Sequence, residues 1–420
     1  MGLNCQKPAK LAHPPGKHIA TYPHDQLYLR LMDDRRHPPH LPTPDPEIPI
    51  EKIEIQPYRL PLRQPWQSAR GIREERRGWL VGLEAAGMRG YGDCAPLPEA
   101  GTEDEAQALA ALRDWQAAAL GQPLGALLQD FREAGGKAPW APAARYSIEC
   151  ALLDLAARSA GIPLRRWLNP QAADAVPVNA TLGALRDQTP AQVAACCQAG
   201  FRVLKLKVGL EAPRVEIGRL EALVPALGPG AWFRLDANGA WDLDQATAMV
   251  ETLNRLPIES LEEPLREPSA RELAALQAQA RFAIALDESL HPARAAPVPA
   301  GLAAIPGHHA GILNGDVQSV DGRLMVRRLV LKPAVVGGIW RTLVLAREMA
   351  RLGVEVVLTS LIESAAGLWP SLQLAAAIGS PLAQGLATSS WLRQDLGHPP
   401  SPRRGSIWLG SDPGSGFQPW

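Results

Sequence analysis

From about residue 175 onward the chain repeats itself. Short runs rich in Val, Ile, Leu and Phe begin at about 175 (AVPVNATLG), 201 (FRVLKLKVG), 231 (AWFRLDANG) and 258 (IESLEEP). They continue at about 282 (FAIALDES), 328 (RLVLKP), 354 (VEVVLTS) and 382 (LAQGLAT). Most gaps hold an amphipathic stretch, such as LDQATAMVETLNRL, SARELAALQAQA or WRTLVLAREMARLG. Strand, helix, strand at a period of roughly 24 to 30 residues is a series of βαβ units with parallel strands. Eight such strands predict a closed (β/α)8-type barrel, whose chemistry belongs at the C-terminal ends of the strands. A doubly wound open sheet is the alternative, but no GxGxxG follows any strand. One gap, between the fifth and sixth strands, is longer by roughly 20 residues and rich in Gly and Pro, so an inserted loop is expected over about 291–322.

The rest of the chain divides around this repeat. Residues 1–49 carry ten prolines and five of the nine histidines (His13, His18, His24, His37, His40). A segment so poor in apolar surface is expected to be an extended or disordered extension rather than a metal site. Residues 50–145 read as an α+β unit. IEKIEIQPYRLPL and RRGWLVGLEAAGMRGYGDCAPLP form antiparallel strands, and a helix follows with Thr102 as its N-cap. A second helix, AARYSIECALLDLAARSAG, ends at Gly161. The barrel then occupies 146–390, and 391–420 is a closing segment.

Composition removes several classes of function. Lys+Arg and Asp+Glu both number 43, so there is no charge excess to draw the chain to nucleic acid or an anionic membrane. The five cysteines are odd in number, include an adjacent pair and form no CxxC, which argues against a disulfide framework or a zinc site. No apolar run approaches the roughly 20 residues that span a bilayer, and a soluble cytoplasmic protein is expected.

Charged residues gather where barrel chemistry should lie. Lys205 and Lys207 are two apart in FRVLKLKVG, so their side chains share one face of a strand. Burying two ammoniums together requires anions nearby. The next three strands supply them: Asp236 with Asn238, then Glu262 and Glu263, then Asp287 and Glu288. Lys332 ends the sixth strand. A single acid after a strand is commonly a helix cap or a solvated turn, but acids in register on three consecutive strands, flanked by lysines, imply a shared task. Three hard oxygen ligands from adjacent strands suit Mg²⁺. A lysine beside such an ion and a second ammonium releases its proton more readily and can act as general base. Lys205 is expected to stay charged and Lys207 to be that base. No histidine ends the sixth or seventh strand, which leaves Lys332 as the group facing the metal from the opposite side.

At these residues the chain resembles the enolase superfamily, in its muconate-lactonising-like branch. The matching motifs are KLK at 205–207, LDAN at 235–238, LEEP at 261–264, LDES at 286–289 and LKP at 331–333, with GYGDCAPLP in the smaller domain. The resemblance covers about residues 50–395. It implies an α/β fold, a (β/α)7β-type modified TIM barrel with an N-terminal α+β capping domain. The cap loops near Ser68–Gly71 and Pro98–Gly101 would close the barrel mouth, and the C-terminal segment would pack back on the cap. It also implies Mg²⁺, or Mn²⁺ in its place, held by Asp236, Glu262 and Asp287. Glu262 is preferred to Glu263 because the family's ligand stands two residues before the proline. Lys207 and Lys332 would flank the substrate, and Lys205, Arg234, Asn238, Ser360 and Gly385 would support the site or touch substrate.

Within the branch, RLDAN, TSLIESAAGL and QGLAT look most like the o-succinylbenzoate synthases, hydro-lyases of menaquinone synthesis that dehydrate a cyclohexadiene carboxylate. The partner implied is a small-molecule carboxylate, with no nucleic acid or membrane; the oligomeric state is left open. N-acylamino acid racemase and dipeptide epimerase are the alternatives. The epimerases usually carry an Asp-x-Asp pair near the eighth strand, where this chain reads QGLATSSWL.

Overall fold

A computed structural model describes residues 46–68, 71–132, 141–290 and 325–420. The Pro/His-rich extension up to residue 45, the whole of the expected inserted loop and residues 69–70 of the first cap loop lie outside the described residues. So do the five N-terminal histidines.

The cap begins with an antiparallel sheet of β1 (Lys52–Ser68), β2 (Gly71–Ala85) and β3 (Met88–Cys94), in that order. Ala86 and Gly87, both at positive φ (49° and 73°), make the tight turn between β2 and β3, as two-residue hairpins require. The helix Glu105–Ala119 follows, and its N-cap is Asp104, not the expected Thr102. Asp104 and Gln107 exchange side-chain and backbone hydrogen bonds as a capping box. The Thr102 hydroxyl instead accepts from the Leu97 amide (2.6 Å) and donates to the Glu103 carbonyl (3.0 Å). Glu103 caps a later helix, Pro142–Ser159, by accepting from the amides of Ala143 (2.9 Å) and Ala144 (2.8 Å).

Helix Pro142–Ser159 runs through the expected domain boundary at residue 145. It is buried almost throughout, which explains why AARYSIECALLDLAARSAG has apolar residues all round the helix, with Arg145, Glu149 and Asp154 buried among them. One side packs on β3. There Gly90 and Gly92, two apart and therefore on one face, bring the strand against the helix backbone. A Cβ added at Gly92 would lie 1.9 Å from the Ser147 carbonyl oxygen, and one at Gly90 would lie 2.2 Å from that of Ala151. The GYGDC motif is thus a close-approach surface. Gly92→Ala is expected to destabilise the fold by about 1–3 kcal/mol, read as a lowered urea midpoint. Gly82→Ala is the matched control, because its added Cβ would meet nothing nearer than 3.7 Å.

The barrel strands are β5 to β11, preceded by β4 (Ala175–Pro177). They are β5 (Ala180–Ala184), β6 (Val203–Lys207), β7 (Trp232–Asp236), β8 (Ile258–Glu262), β9 (Ala283–Leu286), β10 (Arg328–Leu331) and β11 (Glu355–Leu358). All pair in parallel with their sequence neighbours. The expected eighth strand, LAQGLAT, is reduced to two bridging residues. Gln384 pairs with Val178 and Gly385 with Thr359, in parallel, so this segment joins the two edges of the sheet. Gly385 is required for that closure, since a Cβ there would stand 2.5 Å from the Thr359 hydroxyl. The expected first strand is split: Ala175–Pro177 pairs antiparallel with β12 (Ser406–Trp408), and only Ala180–Ala184 joins the barrel.

Alternation explains the strands. On β6, Leu204 and Leu206 are fully buried while Lys205 and Lys207 take the other face. Three of the helices laid over the outside begin with capping boxes, at Thr189/Gln192, Asp242/Gln245 and Ser269/Glu272. The cap meets the barrel through Leu60, Leu62, Ile362 and Leu392. The C-terminal segment packs back on the cap, where Phe417 sits edge-on to Tyr91. No helix among the described residues is long and apolar enough to cross a membrane.

Candidate active site

Parallel register builds the site. Lys207, Asp236 and Glu262 are direct neighbours across β6, β7 and β8. Asp287 follows β9, one strand further on, and Lys332 follows β10. Lys205 Nζ lies 2.8 Å from both Glu262 carboxylate oxygens and 2.9 Å from Asp236 Oδ2. Lys332 Nζ donates to both oxygens of Asp287. Lys207 differs, for its Nζ donates to the neutral amide oxygen of Asn238 at 2.9 Å. The Asn238 amide nitrogen in turn donates to Glu288 Oε1 at 3.1 Å. Since a carboxylate oxygen only accepts, Glu288 fixes which end of the amide faces Lys207.

The charges sort themselves by burial and partners. Burial alone would lower the pKa of Lys205, but Asp236, Glu262 and Asp287 outweigh it and hold the ammonium above the ordinary lysine range. Lys332 is likewise raised, with Asp287 and Glu288 overcoming burial. Burial raises Glu262, and repulsion from Asp236 adds to it. These carboxylates therefore crowd one another, and the two lysines only partly relieve the crowding.

Among the described residues, no three Asp, Glu, His or Cys side chains stand close enough to form a ready-made metal cage. The expected three-carboxylate convergence is thus divided: Asp236 and Glu262 meet at Lys205, whereas Asp287 turns to Lys332. Each buried carboxylate takes the nearest ammonium. The donor set nonetheless fits a hard divalent ion. Three carboxylates rise from adjacent strand ends, two already share one cation, and Glu288 Oε2 is buried with no hydrogen-bond partner among the described residues.

The other expected residues fall elsewhere. Arg234, two residues below Asp236, is buried and spends its guanidinium on Glu259 (3.0 and 3.1 Å) and Asn179 (3.2 Å). Arg328 NH1 reaches the same Glu259 at 2.6 Å, and its other nitrogens hold Glu355. Arg234 thus belongs to a buried ion network one layer beneath the carboxylates. The Ser360 hydroxyl lies 2.7 Å from that of Thr388, at the seventh and eighth strand ends. Gly385 closes the barrel, as described above. The second cap loop is a single turn, Pro98–Ala100, tied to β2 by the Arg73–Glu99 ion pair.

Sequence reasoning missed Glu259, because regular alternation from Ile258 sets it on the opposite face from Glu262. A register shift in the pairing of β7 with β8 gives β8 one extra residue there. It also missed Asp93, which accepts from the Ser364 amide and hydroxyl (both 2.8 Å) and from Tyr58, joining cap to barrel. GYGDC carried that aspartate in plain view, with no sign of its partner.

Residues 51–168 match the family described as Mandelate racemase / muconate lactonizing enzyme, N-terminal domain. Residues 188–304 match Enolase C-terminal domain-like. An L-Lys-D/L-Arg epimerase of Methylococcus capsulatus is 32% identical over 284 residues, which are 67% of this chain and 78% of that protein. The chain belongs to the enolase superfamily. An o-succinylbenzoate synthase of Thermobifida fusca is 34% identical over 226 residues, 53% of this chain. The chain spans 62% of the length of that relative. Among solved structures, the dipeptide epimerase from Methylococcus capsulatus complexed with Mg and the dipeptide L-Arg-D-Lys superposes with a TM-score of 0.74 at 26% identity. That match covers 88% of this chain and 99% of the epimerase. The relatives that the chain matches include o-succinylbenzoate synthases, dipeptide epimerases and a chloromuconate cycloisomerase.

Proposed function

We propose that the chain is an o-succinylbenzoate synthase. It would dehydrate 2-succinyl-6-hydroxy-2,4-cyclohexadiene-1-carboxylate to the aromatic 2-succinylbenzoate. The observation that carries the reading is the unlike pairing of its two lysines. Lys332 is locked as a cation by Asp287, while among the described residues the Lys207 Nζ hydrogen-bonds to a neutral amide. One is suited to stabilise negative charge, the other to exchange a proton.

In the reaction, the Lys207 amine takes the proton from the carbon bearing the carboxylate. The electron pair left behind forms an enediolate, which the Lys332 ammonium stabilises. Collapse of the enediolate breaks the C–O bond, and the Lys207 ammonium returns its proton to the leaving hydroxyl as water. One lysine serving both steps requires loss of H and OH from the same face. Asp236, Glu262 and Asp287 would hold Mg²⁺, or Mn²⁺ in its place. When bound, it supplies a positive anchor for the substrate carboxylate and offsets charge developing there.

A second reading, dipeptide epimerase, is favoured by the longer match to the Methylococcus protein. Against it, the hydroxyls of Ser360 and Thr388 meet at the seventh and eighth strand ends and QGLATSSWL carries no acid, whereas a dipeptide ammonium calls for a carboxylate. The test compares kcat/KM on the cyclohexadiene carboxylate, N-succinylamino acids and dipeptides, with Mg²⁺ present. The synthase reading expects the first to exceed the others by at least about 100-fold, near 2.7 kcal/mol. A dipeptide preference of that size would overturn it.

A further inference from the structure

Glu263 was set aside above as a metal ligand, yet it is only 2% exposed and its backbone is in the left-handed region at φ 45°. Non-glycine residues hold that conformation only where surroundings enforce it. The surroundings here are the three turns that carry the carboxylates. The Glu263 carbonyl accepts from the Gly239 amide at 2.7 Å, in the turn after Asp236, and its own amide donates to the Ala285 carbonyl at 3.0 Å. Oε1 accepts from the amides of Asp287 (2.7 Å) and Ser289 (2.8 Å), and Oε2 accepts from the Ser289 hydroxyl at 2.6 Å. One residue adjoining Glu262 therefore ties together the turns bearing Asp236 and Asp287.

We infer that Glu263 is a positioning residue for the metal site: it sets the spacing of Asp236, Glu262 and Asp287, and so the affinity for a divalent cation, without ligating the ion. The inference rests on the reading of those carboxylates as Mg²⁺ ligands. Its side chain is fully engaged with the 287–289 turn, so it acts through geometry rather than charge. A glutamine can keep that geometry, with Oε1 accepting the two amides and Nε2 donating to the Ser289 hydroxyl. An alanine cannot.

The test is calorimetric titration of the full folded chain with MgCl₂, with unfolding midpoints measured alongside. Removing a group that orients metal ligands typically weakens binding 10–100-fold, and Glu263→Ala is expected to fall in that range. Glu263→Gln should stay within about threefold of wild type. Ser289→Ala removes one of the three side-chain bonds and should weaken binding by a few-fold, which keeps the test alive should Glu263→Ala fail to fold. Wild-type affinity in both Glu263→Ala and Ser289→Ala would overturn the inference while leaving the metal site standing. Glu263→Gln as weak as Glu263→Ala would show that charge, not spacing, is what matters, and would also overturn it. No heat of binding from wild type would remove the metal reading itself, and the inference with it.

Discussion

Lys207→Ala is expected to lower kcat/KM on the cyclohexadiene carboxylate by about 10³-fold, near 4 kcal/mol, as loss of a positioned general base does. Its unfolding midpoint should scarcely move, because among the described residues Lys207 Nζ makes one side-chain hydrogen bond, to Asn238. Alanine alone cannot separate a base from a cation, and arginine can. Lys207→Arg keeps a positive charge and a donor for Asn238 but cannot give up a proton near neutral pH, so it should be as inactive as the alanine variant. At Lys332 the order reverses. That residue works as a cation held by Asp287, so Lys332→Arg should retain more activity than Lys332→Ala. Activity in Lys207→Arg near the wild-type level would mean that another group takes the proton.

The largest effect on stability is expected one layer below the site. Glu259 is the shared counter-ion of two arginines, Arg234 and Arg328, each with a side chain only 3% exposed. Glu259→Gln leaves those guanidiniums under-compensated in the barrel interior, and removing one partner of a buried pair costs about 3–5 kcal/mol. The sign with pH follows from the same contacts. Burial would raise the Glu259 pKa from 4.5, but Arg234 and Arg328 outweigh it and hold the carboxyl far below that value. A carboxyl lowered on folding contributes stability that is fully present above its unfolded value of about 4.5 and is lost as pH falls toward the folded one. The gap between wild type and Glu259→Gln, measured by urea unfolding, should thus be widest near pH 7 and narrow below about 4.5. A gap that stays constant down to pH 3 would mean the ion network contributes nothing specific.

The barrel was legible because its strands obey two rules at once. Leu204 and Leu206 alternate with Lys205 and Lys207, and the parallel ladder then sets Lys207 beside Asp236 and Glu262 without any further information. Regular spacing therefore yielded both the architecture and the charged strand ends. What stayed hidden depends on departures from regularity. The extra residue at Glu259 turns an apparently outward side chain into the hub of the interior network, and nothing in IESLEEP marks it. Residues 175–177 alternate like a barrel strand but are taken by β12, more than 200 residues away in sequence. Side-chain choice was equally invisible: the sequence presents three carboxylates and three lysines, but not that Asp287 pairs with Lys332 while Asp236 and Glu262 share Lys205. The Asp93–Ser364 link is a long-range contact between cap and barrel, and local pattern cannot report such contacts.

Conversion of the cyclohexadiene carboxylate by the wild-type chain, followed by absorbance as the ring becomes aromatic, tests the central claim most directly. The account predicts rapid, Mg²⁺-dependent formation of 2-succinylbenzoate that stops on chelation with EDTA and returns when the ion is restored. Folded, Mg²⁺-saturated protein that leaves the substrate at its uncatalysed rate would contradict it.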